Sequence, residues 1–185
     1  MPQKARVVFG AFREGLRAGR QAPGTPVTWS TRVAFNLAVR DGDAGNTAAA
    51  VSGYQQVIDS QDPRWGPIAA VNLGLLLGRG GDLPGAQRAY RTAMATGDPI
   101  QAPKAALNLG VLLHKAGDRA GAQDAYQSAI DSGHRDYAPW AACNLARLHA
   151  VHGDYRAARA ALRFAVDSGH PTHMATAQGM LDTLP

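Results

Sequence analysis

Ala106-Leu107-Asn108-Leu109-Gly110-Val111-Leu112-Leu113, followed by His114-Lys115-Ala116-Gly117-Asp118, is the stretch that decides how this chain folds. Variants of it stand at Ala70-Val71-Asn72-Leu73-Gly74 and Ala142-Cys143-Asn144-Leu145-Ala146, with a weaker copy at Ala34-Phe35-Asn36-Leu37-Ala38. The four asparagines are therefore 36 residues apart, three times over. A fixed period in this range marks a repeat array, in which each unit completes its core with its neighbours.

Within each unit the pattern is helical twice. Apolar residues fall two before the Asn and one, four and five after it; in the third copy these are Ala106, Leu109, Leu112 and Leu113. They share one stripe of a helical wheel. Pro67, Pro103 and Pro139 lie five residues before the Asn, with Thr31 in the first copy. Proline suits a first helical turn, where its missing N–H has no partner to lose. Nine residues after the Asn come Gly45, Gly81, Gly117 and Gly153, then Asn46, Asp82, Asp118 and Asp154. That pairs a helix stop with an N-cap for a second helix. The second helix repeats Ala50/Ala86/Ala122/Ala158, Tyr54/Tyr90/Tyr126/Leu162 and Val57/Ala93/Ala129/Ala165 on one face, and stops at Gln61, Gly97, Gly133 and Gly169. Residues 27–171 thus read as four helix-turn-helix units with about 14 residues per helix. Residues 172–185 read as a C-terminal capping helix from about His173 to Leu184, with Met180 in the place of the Asn.

Composition agrees. The 185 residues are 45% hydrophobic, and Ala and Leu supply most of that share, which favours helix. No apolar run approaches the roughly 20 residues that a membrane span needs. The start of the chain lacks the apolar segment and cleavage site of a secretory signal. A lone cysteine, Cys143, excludes an internal disulfide framework and fits a reducing compartment. These features together predict a cytoplasmic protein.

The net charge of +5 is unevenly placed. Residues 1–40 carry Lys4, Arg6, Arg13, Arg17, Arg20, Arg32 and Arg40 against Glu14 alone, whereas residues 41–185 are close to neutral. Residues 1–26 form a basic leader. Positions 4–20 predict a helix with Ala5, Val8, Phe9, Phe12 and Leu16 on one face and Arg6, Arg13, Arg17 and Arg20 on the adjoining one. Gln21-Ala-Pro-Gly-Thr-Pro26 then breaks it. Three readings stay open: a cap on the first repeat, a basic arm for nucleic acid or an anionic surface, and a flexible tail. The need of a solenoid for covered ends favours the cap, and nucleic acid is not the expected partner.

Asn72-Leu73-Gly74, Gly81-Asp82, Ala86, Tyr90 and Ala93 recur as Asn108-Leu109-Gly110, Gly117-Asp118, Ala122, Tyr126 and Ala129. In this the chain resembles the tetratricopeptide repeat, over about residues 28–184. The family's usual period is 34, and here Ser-Gly-His or Thr-Gly-Asp lengthens the link between units to a period of 36. Sel1-like repeats, a related and slightly longer class, are the closest alternative. The first unit departs furthest, with Asp41 where Leu77 and Leu113 stand and no Gly after Leu37. The resemblance implies an all-α, right-handed α-solenoid whose first helices line a concave groove. It also implies a non-enzymatic interaction module that binds a peptide or protein and holds no cofactor.

The repeat nominates the groove residues. Asn36, Asn72, Asn108 and Asn144 lie at the edge of the apolar stripe, directed toward the inner face. Their wheel neighbours are Arg32, Ile68, Lys104 and Trp140; then Val39, Leu75, Val111 and Arg147; then Asp43, Arg79, Lys115 and Val151. The surface is mixed, with a cationic excess that points to an acidic ligand. An amide side chain both donates and accepts, so a ladder of four suits an extended peptide backbone. The alternative is that each Asn bonds the neighbouring helix and fixes packing. Self-association through an uncovered solenoid end is open as well.

Catalysis and metal binding find little support in the residues. His149-Ala-Val-His152 and His170-Pro-Thr-His173 have no Glu or Cys beside them, and His134 and His170 occupy the link position held elsewhere by Asp62 and Asp98. Gly78-Arg-Gly-Gly-Asp-Leu-Pro-Gly85 follows a helix and lacks the Gly-Lys-Ser/Thr of a phosphate loop. Cys143 replaces Val71 and Leu107, as a small hydrophobe would. Trp29 and Trp65 are equivalent and suit packing at a helix start.

Overall fold

A computed structural model describes residues 27–185. The leader, with its three readings and Arg6, Arg13, Arg17 and Arg20, lies outside the described residues. The described part is helical throughout. Unit one is α1 (Val27–Asp43) and α2 (Thr47–Asp59); unit two is α3 (Trp65–Arg79) and α4 (Leu83–Ala95). Unit three is α5 (Gln101–Lys115) and α6 (Arg119–Asp131); unit four is α7 (Tyr137–Val151) and α8 (Tyr155–Asp167). A last helix, α9 (Pro171–Thr183), stands alone. It begins two residues before the expected His173, because His170 accepts from the His173 N–H and Pro171 presets the first turn.

The turns follow the expected chemistry with one exception. All seven link and turn glycines at the repeating positions have positive φ, from +62° to +85°. Asp82, Asp118 and Asp154 each accept from the N–H three residues on, at 2.9, 2.9 and 3.0 Å. Asn46 makes no such bond, which corrects the expectation of four capped second helices. Its neutral amide offers one acceptor oxygen where the others offer a carboxylate. At the other stop, Gln61 holds φ +54° where its three counterparts are glycine.

Each helix packs on the next, so the core runs continuously through the array. Ala50, Ala86, Ala122 and Ala158 have no exposed surface, nor do Ala93, Ala129 and Ala165. Between two helices of a unit the approach is set by a glycine under a ring. A Cβ added at Gly74 would lie 2.5 Å from the Tyr90 ring, and one at Gly110 would lie 2.5 Å from that of Tyr126. The divergent first unit forms all the same, since its glycine has moved to the other helix. A Cβ at Gly53 would meet that of Ala38 at 2.8 Å. Trp65 packs on Phe35 of the preceding unit with ring centroids 5.0 Å apart, the helix-start contact its position suggested.

First helices of neighbouring units also touch one another (α1–α3, α3–α5, α5–α7, α7–α9), whereas second helices do not. The array therefore curves toward its first helices. At its start Val33 is 47% exposed, although Ala69, Ala105 and Ala141 at the same register are fully buried. Those three each face a preceding second helix, and among the described residues none precedes α1.

Replacing Gly110 with Ala should destabilise the protein by about 1–2 kcal/mol, the ring clash outweighing the gain in helix propensity; urea unfolding reads this directly. Gln61→Gly should do the reverse, adding about 0.5–1 kcal/mol by relieving a left-handed non-glycine. A lower midpoint for that variant would mean the Gln61 side chain contributes more than its backbone strain costs.

Candidate functional site

The groove candidates sit on the first helices. Arg32, Arg79, Lys115 and Arg147 are exposed; Ile68, Leu75, Lys104 and Val111 are half-buried. Trp140 keeps 47% of its surface, an unusual share for so large an apolar side chain. Among the described residues, Arg79, Lys104 and Lys115 form no ion pair. Solvent therefore reaches several cations and apolar side chains of the first helices.

The asparagines are not equivalent. Asn36 is exposed, Asn72 and Asn108 are half-buried, and Asn144 is only 4% exposed. Asn144 therefore departs from the expected outward ladder. It lies between Trp140 and Arg147, one turn to either side, and Arg147 folds back to donate from Nη2 to its Oδ1. The smaller neighbours of Asn72 and Asn108 leave those amides open. Asn72 also lies close enough to the Tyr54 phenol of the preceding unit to act on it. Burial raises that phenol's pKa, Asn72 pulls it back, and Asp43 adds to the rise.

Tyr90 and Tyr126 lie deeper. Burial pushes both phenols up to about 12, against the opposing pull of Arg79 on the first and Arg147 on the second. The rings that hold the helices together therefore end beside the cations of the inner face.

Elsewhere the sequence candidates resolve into structure. The Cys143 thiol is buried and its pKa raised by that burial, with Arg147 pulling the other way, which favours the protonated thiol. His149 is buried at the register of Leu113, 3.6 Å from Asp154. Among the described residues no three His, Cys, Asp or Glu side chains gather where a metal would be held. No described helix is long and apolar enough to cross a membrane.

One recurring device escaped the sequence reading. Ser60, Thr96, Ser132 and Ser168 each donate a hydroxyl to the carbonyl three residues back, at 2.6–2.7 Å, and accept from the N–H two residues on. The residue so held is Asp62, Asp98, His134 or His170, and it caps the entry to the next first helix. The signal was a Ser/Thr-x-Asp/His triplet recurring every 36 residues.

Two family models, both described as tetratricopeptide repeat, match residues 71–137 and 139–163. With the helix pairs above, this shows tetratricopeptide repeats over those residues. The crystal structure of BtubC (BKLC) from P. vanneervenii is similar in fold, at TM-score 0.63 and 17% identity, over 90% of this chain and 73% of that one. That of MamA protein is similar at TM-score 0.60 and 17% identity, over 82% of this chain and 84% of the other. Such identities speak for the fold alone. No curated protein sequence matches the chain.

Spectroscopic titration tests the burial of the two rings. The folded protein should retain two protonated tyrosines well above pH 10, ionising near 12. The unfolded chain ionises first, so stability should fall as pH rises from 10 toward 12. If all five tyrosines titrate together near 10, that account fails.

Proposed function

We propose that this chain, with tetratricopeptide repeats over residues 71–137 and 139–163, is an interaction module whose inner face binds an extended, acidic peptide segment of a partner protein. The observation that carries this is the alignment of two accessible amides, Asn72 and Asn108, with the unpaired cations Arg79, Lys104 and Lys115 on one side of consecutive first helices. An amide side chain pairs with both the N–H and the C=O of an extended backbone, whatever its sequence. The 36-residue period repeats that contact along the array, so register is set by backbone and preference by side chains. The cations favour carboxylates, while Ile68, Leu75, Val111 and Trp140 offer apolar contact between them. Asn36 extends the row and Asn144, bonded to Arg147, does not.

The test is a partner captured with the intact protein, then titrated against Asn72→Ala/Asn108→Ala. Two lost backbone contacts should weaken binding about 10- to 100-fold. Because Asn72 also acts on the Tyr54 phenol, the melting curve of the variant is recorded alongside. Undiminished affinity in a folded variant would exclude the inner face, and an affinity insensitive to salt would exclude the acidic ligand.

A further inference from the structure

The residue that caps the entry to each first helix changes chemistry along the array. Asp62 accepts the N–H groups of Arg64 and Trp65 at 2.9 and 3.0 Å, and Asp98 those of Ile100 and Gln101 at 2.9 and 2.6 Å. His134 and His170 replace them before α7 and α9, accepting through Nδ1 from Asp136 and Tyr137 at 3.1 and 3.4 Å and from His173 at 3.3 Å. A carboxylate accepts at any pH near neutrality. An imidazole accepts only while Nδ1 keeps its lone pair.

We propose that the array is acid-labile at its C-terminal end alone, the docking of α7 and α9 being released by protonation of His134 and His170. A proton on Nδ1 sets donor against donor at the helix start and brings positive charge to the positive end of the helix dipole. Asp136 Oδ1 lies 3.3 Å from His170 Nε2, which selects the tautomer with its proton on Nε2 and leaves Nδ1 to accept. Protonation strengthens that pair, but Asp136 is more than half exposed and the pair is screened.

The charged and titratable surroundings are few. The start of α7 brings Arg135, Asp136 and Tyr137, whose ring lies 4.6 Å from that of His134. From α9, His173 lies 4.5 Å from His170 and stacks on Trp140 at 5.7 Å; Asp131 and Asp167 end α6 and α8 three residues before each cap. Burial, then His170, lower the pKa of His173 against the pull of Asp136, so charging it in acid opposes the docked state too. The core that holds α9 is small, mostly alanine with Cys143 and Leu162. If the groove binds as proposed, on which this consequence rests, acid would free the end of it that carries Trp140 and Arg147.

The test compares amide hydrogen exchange, corrected for intrinsic rates, at about pH 7.5 and about pH 5, the span in which imidazoles charge. Exchange in α7 and α9 should rise about tenfold in acid while α3 and α5 hold. His134→Asp/His170→Asp, which copies the array's own Asp62 and Asp98, should abolish most of that rise. His149→Leu, the residue found at Leu113, should leave the rise in α9 in place and remove from α7 only the share due to His149 itself, whose pKa burial lowers. The proposal is overturned if the aspartate variant keeps the full acid response, if His149→Leu alone removes it, or if α3 and α5 respond equally. No partner is needed, so the outcome is separate from whether the groove binds a peptide.

Discussion

The array depends on an aromatic ring laid against a backbone that has no side chain. Tyr90 covers Gly74 and Tyr126 covers Gly110, each so closely that a single carbon between them would lie 2.5 Å from the ring. This brings the two helices of a unit to a distance that alanines can seal, which is why the core is mostly alanine. A ring buries much apolar area with few rotatable bonds, so this contact orders the unit at low entropic cost. The phenols stay buried, yet Arg79 acts electrostatically on the first and Arg147 on the second.

The two outer units show what the contact requires and what replaces it. The first unit keeps Tyr54 but puts its glycine at Gly53 opposite Ala38; the fourth exchanges the ring for Leu162 beside Ala146. Both remain helix pairs, because volume across the contact is conserved even where its distribution is not. The link between units is equally strict in form and free in composition. A hydroxyl closes the second helix, a left-handed residue turns the chain, and an acceptor side chain opens the next helix. Those added link residues produce the 36-residue period that the sequence displays.

Much of this was legible in the residues because it is local. Stripes of Ala and Leu, glycine at the stops and Asp82, Asp118 and Asp154 at the caps act within one turn of helix, and each stands where its pattern puts it. Where the reading slipped, the deciding neighbour was a specific geometry. Asn46 has a capping residue's position and backbone but makes no bond. The role of His134 and His170 as acceptors depends on which ring nitrogen meets the N–H, which spacing does not reveal.

By itself the sequence determined the helices and their pairing, since periodicity and turn chemistry are properties of a few adjacent residues. Tertiary structure alone decided which members of an identical series stay accessible. Asn72 and Asn108 remain open while Asn144 is buried beneath Trp140 and Arg147, and Val33 is bare where its counterparts are sealed. The reason is that exposure in a stacked array belongs to the neighbours of a residue: Arg147 folds onto Asn144, and among the described residues no second helix precedes α1.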